Sequence, residues 1–324
     1  MSALSYREGL NRALHDAMGA DAGVIVLGED VAAAGGAFKV TEGLLDAYGP
    51  DRVLDTPISE QAIVGAAIGA AVQGLRPVAE IMFADFAGTC FDGIANEIPK
   101  YRYMTGGQVS VPLVVRMANG AGGGYAAQHS QSVENWFLDN PGLKVAVPAT
   151  AADAYGLLRA AVEDPDPVLL LEHKGLYNRR EEVDALEPVE LGRAAVARSG
   201  GNLTVVASQL MRHRALEAAE RLAAGGIEAT VIDPRTVMPL DLETVVESLE
   251  ETNRLVVCQE SPGPGSWGAT LVAEVCAVAF ELLDAPPTLV GGRDTPVPYA
   301  ASLEAEWLPS VERIESACRA AAAY

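Results

Sequence analysis

Glu60 stands where a carboxylate could exchange a proton with a ligand. It closes the run Asp55-Thr56-Pro57-Ile58-Ser59-Glu60, and the small apolar residues from Ala62 to Val72 behind it read as a helix. Burial at the mouth of so apolar an element favours the neutral carboxyl, while the positive end of the helix dipole favours the anion. A carboxyl caught between those effects can trade a proton with a ligand nitrogen near neutral pH. The plainer reading is an acidic first turn with Ser59 as its N-cap.

Three more segments could carry chemistry. Gly120-Ala121-Gly122-Gly123-Gly124 follows a strand and leads to Gln128-His129-Ser130. Glycines let backbone approach a ligand closely, and the imidazole is placed to act as acid or base. A surface loop whose histidine only bonds backbone is the plainer alternative. Phe86 sits just past a strand end, where an aromatic ring could stack on a planar ligand or simply pack in the core. Gly263-Pro264-Gly265-Ser266-Trp267-Gly268 fits a dinucleotide-binding pattern, with Asp294 after the next strand. Pro264 removes a backbone N–H that a pyrophosphate would use, so a structural glycine loop is favoured.

These segments need a scaffold to place them. The 324 residues leave room for two domains of ordinary size, and the 49% hydrophobic content can fill their cores. A net charge of −21 argues against nucleic acid, whose binding needs clustered Lys and Arg. Residues 1–7 lack the basic and apolar regions of a signal peptide. The apolar run from Ala62 to Leu75 falls short of the about 20 residues of a membrane span. Cys90, Cys258, Cys276 and Cys318 lie far apart, as buried thiols of a reduced cytoplasmic protein would. His15, His129, His173 and His213 have no metal-binding spacing.

Leu10, Leu14 and Met18 place an amphipathic helix over 5–20. Apolar strands are expected at 24–27, 53–54, 77–81, 111–116, 143–148 and 168–172. Helices are expected at 41–48, from Ala62, at 85–104 with a break at Pro99, and at 151–163. This alternation means a parallel sheet covered by helices on both faces. The charged stretch 178–193 has no periodicity and marks a boundary. A second, smaller α/β alternation follows: strands at 203–207, 229–233, 255–258 and 288–290, helices at 212–224 and 267–283, and a helical tail from Leu303. The division is 1–180, a linker over 181–195, and 196–324.

Taken in order, the motifs resemble one family. They are Gly28-Glu29-Asp30-Val31, Asp55-Thr56-Pro57-Ile58-Ser59-Glu60, Gly74-Leu75-Arg76-Pro77, Phe83-Ala84-Asp85-Phe86, Lys100 to Gly107, Ala127-Gln128-His129-Ser130-Gln131, Pro141-Gly142-Leu143-Lys144-Val145 and Glu172-His173-Lys174. The chain is similar to the β subunit of the thiamine-diphosphate-dependent first component of 2-oxo acid dehydrogenase complexes. That group includes the pyruvate, branched-chain 2-oxo acid and acetoin dehydrogenases. The match runs from about residue 4 to the C-terminus and is strongest over 24–177.

The resemblance implies a transketolase-like pyrimidine-binding domain, then a transketolase C-terminal domain, in an α2β2 heterotetramer that serves a lipoyl-bearing acyltransferase core. Glu60 matches the glutamate that hydrogen-bonds the cofactor's aminopyrimidine, and Phe86 the aromatic stacked on that ring. Glu29 and Ile58 fall in segments lining the same site. His129 matches the active-site histidine, which orients the reacting group or protonates the opening lipoyl disulfide. The chain has no Gly-Asp-Gly with a downstream Asn. It therefore resembles half a site, with magnesium and diphosphate held by the α subunit. Some β chains of the family carry a structural monovalent cation, K+, near the positions of Leu113, Ala161, Asp164 and Asp166. Pro165 and Asp166 depart from the common pattern there, and Pro99 departs inside a helix usually rich in alanine. Two other readings remain: a nicotinamide-dependent oxidoreductase built on 263–268, and a non-catalytic scaffold subunit.

Overall fold

The computed structural model describes residues 2–324, which divide into two compact units. The first holds the residues up to Asn119 together with Trp136–Leu191. The second holds Gly120–Asn135 and Gly192–Tyr324.

In chain order, the first unit contains β1 (Ser2–Ser5), α1 (Tyr6–Ala20), β2 (Val24–Gly28), α2 (Leu44–Tyr48), β3 (Val53–Asp55), α3 (Glu60–Val72) and β4 (Arg76–Ile81). A 3-10 turn at Ala84–Thr89, a π turn at Asp92–Glu97 and α4 (Tyr101–Met104) follow. The unit closes with β5 (Val114–Asn119), β6 (Lys144–Ala146), α5 (Ala151–Glu163), β7 (Val168–His173) and β8 (Arg180–Val183). Six strands pair in parallel in the order β6-β7-β5-β4-β2-β3. The four central ones, β2, β4, β5 and β7, are buried nearly end to end, which explains their unbroken apolar runs. Helices α1 and α5 pack on each other, and α3 packs on β4 and β2. Ser5 starts α1 with a full capping box: Glu8 N–H donates to Ser5 Oγ, and Ser5 N–H donates to the Glu8 carboxylate.

The second unit contains β9 (Ala195–Arg198), β10 (Leu203–Ala207), α6 (Gln209–Ala223), β11 (Ala229–Asp233), β12 (Thr236–Met238), α7 (Leu242–Thr252), β13 (Leu255–Cys258), α8 (Trp267–Val278), β14 (Thr288–Val290), α9 (Ala301–Trp307) and α10 (Val311–Ala322). Its sheet runs β14-β13-β10-β11-β9, all parallel except β9 on β11. One core joins β10, β11 and β13 to α6 and α10 through Val205, Val231, Val256, Met211, Ile314 and Cys318.

Several expected elements shift. The strand expected at 111–116 starts at Val114 and runs to Asn119, because Pro112 has no N–H to donate. The helix expected over 85–104 breaks into a 3-10 turn, a π turn and one α turn. The helix of 41–48 begins only at Leu44. The charged stretch 178–193 holds β8, which pairs antiparallel with β1. The helical tail is two helices separated at Pro309.

Candidate active site

The ends of β2, β3 and β4 lead into the segments that carry the expected site residues. Glu60 is the first residue of α3. Ser59 occupies the N-cap position but makes no side-chain cap bond, contrary to the expected role. Thr89 Oγ1 donates to Glu60 Oε2 at 3.2 Å. Glu60 itself is half-buried rather than desolvated, since Ser59, Gln61 and Ala62 around it are exposed. Ile58 is 83% exposed. Phe86 lies in the 3-10 turn that also carries Thr89, and its ring meets Phe83 edge-on at 5.6 Å.

Glu29 follows β2 and is buried. Burial pushes its carboxyl above the usual range, and the negative charges of Glu60, Asp30 and Glu80 push further. That coupling brings Glu29 and Glu60 into one electrostatic neighbourhood. Burial, with the Glu60 charge beside it, raises the Cys90 thiol to about 12, so it stays an inert thiol.

Deeper in the sheet lies a network that sequence reasoning missed. Arg116 of β5 donates from Nε and Nη2 to the two oxygens of Glu172 at 2.6 and 2.9 Å, and from Nη1 to Glu80 Oε2 at 2.7 Å. Tyr177 Oη donates to Glu172 Oε2 at 2.8 Å. Burial alone would lower the Arg116 pKa, but Glu172 and Glu80 outweigh it and hold the guanidinium charged. The readable signal was Glu80, Arg116 and Glu172, each a charge set among the apolar residues of a buried strand.

The positions matched to a monovalent cation are already engaged by the chain's own groups. Asp164 Oδ2 accepts from Lys144 Nζ at 2.6 Å, and Asp164 Oδ1 from the Asp166 N–H at 2.9 Å. Asp166 Oδ1 accepts from Arg102 Nη1 at 2.7 Å, and the Leu113 carbonyl from the Val168 N–H at 3.0 Å. Ala161 is buried in α5. Lys144 and Arg102 thus neutralise the two carboxylates, and no step is assigned to a cation here.

In the second unit, the glycine loop carries His129. The imidazole is half-buried, and the His129 N–H donates to the Ala126 carbonyl at 3.4 Å. At the end of the 263–268 loop, the first three amides of α8 are taken within the unit. Trp267 N–H donates to Asn135 Oδ1, Gly268 N–H to Gln259 Oε1 and Ala269 N–H to Ser266 Oγ. A Cβ on Gly268 would meet Gln259 and lie 2.8 Å from Leu289, so the glycine serves packing.

Two family models match the chain: "Transketolase, pyrimidine binding domain" over residues 2–180 and "Transketolase, C-terminal domain" over 192–314. The pyruvate dehydrogenase E1 component subunit beta-2, mitochondrial, of Oryza sativa subsp. japonica is 46% identical, over 98% of this chain and 86% of that protein. The acetoin:2,6-dichlorophenolindophenol oxidoreductase subunit beta of Cupriavidus necator is also 46% identical, over 98% and 96%. A solved split-gene transketolase, described as an inactive β4 tetramer, has a TM-score of 0.80 at 28% identity and covers 99% of each chain. Fold and matches together define a two-domain α/β protein of the transketolase type. Within that class, the chain belongs to the family of dehydrogenase E1 β subunits. Among the described residues, no helix is long and apolar enough to cross a membrane.

Proposed function

We propose that this chain is the β half of a thiamine-diphosphate-dependent dehydrogenase of 2-oxo acids or acetoin, working with an α subunit in an α2β2 heterotetramer and passing its acyl group to a lipoyl carrier. The observation that carries this reading is the placement of Glu60 on the first turn of α3. Its carboxylate is bonded by Thr89, and Phe86 lies in the same short turn.

These residues fit the pyrimidine half of the cofactor: a carboxyl for a ring nitrogen, an aromatic face, and an exposed Ile58 for apolar contact. They do not supply the diphosphate half. Among the described residues, no three His, Cys, Asp or Glu side chains come together to hold a metal. In this reading magnesium and the diphosphate belong to the α subunit. When bound, thiamine diphosphate supplies a carbanion that adds to the substrate carbonyl and accepts the electrons of the broken carbon–carbon bond.

The protein's part is to place protons. Glu60 would share a proton with a pyrimidine ring nitrogen, and the Thr89 hydroxyl, which also faces the Phe86 carbonyl at 2.8 Å, would stand against one of its oxygens. Phe86 supports the ring face. Glu29 lies buried in the same electrostatic neighbourhood as Glu60, and burial first and then the Glu60 charge raise its carboxyl above the ordinary range. His129 orients the reacting group or gives a proton to the departing lipoyl sulfur. Such positioned acid–base groups each contribute roughly 10²–10⁴-fold.

The test is co-expression with an α subunit, followed by thiamine-diphosphate-dependent dye reduction with pyruvate, 3-methyl-2-oxobutanoate and acetoin in parallel. Activity with one of them is expected, and Glu60→Gln should reduce it at least about 100-fold. Near wild-type turnover in Glu60→Gln would overturn the assignment.

A further inference from the structure

The segment from Gly120 to Gln131 is a loop closed at its base, and two buried glutamates hold it shut. Gly120 N–H donates to the Gln131 carbonyl at 3.1 Å. Glu260 Oε1 accepts from Ala121 N–H at 2.5 Å and from Ser132 Oγ at 2.9 Å. One carboxylate oxygen therefore ties both limbs together where the loop begins and ends.

Further along the first limb, Gly122 and Gly124 take left-handed φ values of +94° and +70°. Those turns bring their amides to one carboxylate. Gly122 N–H donates to Glu304 Oε1 at 3.0 Å, and Gly124 N–H donates to Oε1 and Oε2 at 3.3 and 3.1 Å. Amides converging in this way form a backbone nest for an anion. Here the anion is a side chain of the same unit. Glu304 and Glu260 are each only 5% exposed, so these charge-assisted bonds act away from water. Helix α9, which carries Glu304, also supplies Trp307, and Leu308 follows it; with Val297 they bury Ala121.

The first limb is glycine at 120, 122, 123 and 124 and has little stiffness of its own. Without anchors it would spread over many conformers and carry the second limb, with His129, along with it. We propose that Glu304 and Glu260 are positioning residues that brace this loop so that His129 is held for the acyl-transfer half of the reaction. The proposal rests on the reading of His129 given above. It explains why a carboxylate rather than an amide stands at 304. Gly124 N–H spans both oxygens, and a glutamine would turn an NH2 donor towards amide donors.

The test uses the chain assembled with its α subunit. Hydrogen–deuterium exchange is followed in peptides spanning 121–132, and the two half-reactions are measured separately: decarboxylation by dye reduction, and acylation of a free lipoyl domain. Glu304→Gln is expected to speed exchange in the loop and slow lipoyl acylation, each at least about tenfold, the scale set by losing hydrogen bonds to a charged group. Dye reduction should stay within about threefold of wild type, because a brace on this loop does not act on Glu60. Glu304→Asp, which keeps the charge, should recover part of both losses. Ser132→Ala removes one bond at the loop base without stranding a buried charge. It should show the same pattern more weakly, and it keeps the question open to measurement if Glu304→Gln does not fold. Unchanged loop exchange in these variants overturns the brace. Faster exchange with both half-reactions intact, or with both reduced equally, overturns the positioning role. His129→Ala is run alongside: if it leaves lipoyl acylation intact, the histidine assignment itself is wrong, whereas the exchange data still decide the brace.

Discussion

Glu29 is a carboxyl placed where its proton is worth keeping. It is buried, and its raised pKa comes first from that burial and then from the charges of Glu60, Asp30 and Glu80. The consequence for stability follows from linkage. A carboxyl whose folded-state pKa lies above its unfolded value binds more protons in the folded state. The folded state therefore loses stability as pH rises through the window from the ordinary value of 4.5 up to the raised one. Glu29→Gln, which cannot ionise, should raise the melting temperature of the chain at pH 7 to 8. That advantage should shrink steadily as the pH is lowered towards 4.5. Melting curves across this range check it, and a difference independent of pH would show that the carboxyl is not strained by its charge. The same variant bears on function: if Glu29 tempers the charge beside Glu60, the acid limb of the turnover profile should move.

At the scale of elements, three neighbouring strands are tied by one guanidinium. Glu80 and Arg116 are register partners on β4 and β5, while Glu172 on β7 pairs with Ala118 of β5. Arg116→Met would leave two carboxylates buried without their cation. That should cost about 3–5 kcal/mol, whereas replacing the whole cluster by apolar residues could cost little. Urea unfolding of Arg116→Met measures the first figure; a loss under about 1 kcal/mol would mean that water or protonation relieves the carboxylates. This network also marks where the sequence could and could not be read. The central strands and α5 were legible because parallel strands buried on both faces leave continuous apolar runs, and α5 begins at a Thr150 cap that bonds Asp153. Strands β1, β8, β9 and β12 and helix α7 went unread. β8 alternates exposed charges, β9 is a half-exposed edge, and β12 is a three-residue strand flanked by prolines. Glu60 and Phe86 stood out as candidates from local context, beside a helix start and a strand end, whereas Glu29 entered only through the family resemblance. Glu304 was not, because its partners Gly122 and Gly124 lie far back in the chain and only the fold brings them together.

At the scale of the whole molecule, the first unit carries a helix that does not suit a bare surface. Helix α3 is apolar or small on nearly every side, and such helices belong in covered positions. Yet Ala62, Gly65, Ala66 and Gly69 are exposed, and a Cβ built on Gly65 or Gly69 meets nothing within 4 Å. Tyr103 is 88% exposed, and Ile58 and Met104 of the same unit are also bare. An α2β2 assembly would cover such a surface with another subunit, and small residues there would let two backbones approach closely. This gives opposite expectations for the free and the assembled chain. Gly69→Glu places a better helix former at an open, solvated position, so the isolated chain should be unchanged or up to about 1 kcal/mol more stable. In the assembly, the same side chain would bring an unpaired charge into a close helix contact, so recovery of α subunit on tagged β chain should fall steeply and thiamine-dependent activity with it. Melting temperature and co-purification are read on the same preparation. If both stay at wild-type levels, the bare face of α3 is not where the α subunit or the second β subunit sits. If stability falls together with assembly, the glycine serves the fold of the unit itself, and the covered-helix argument fails.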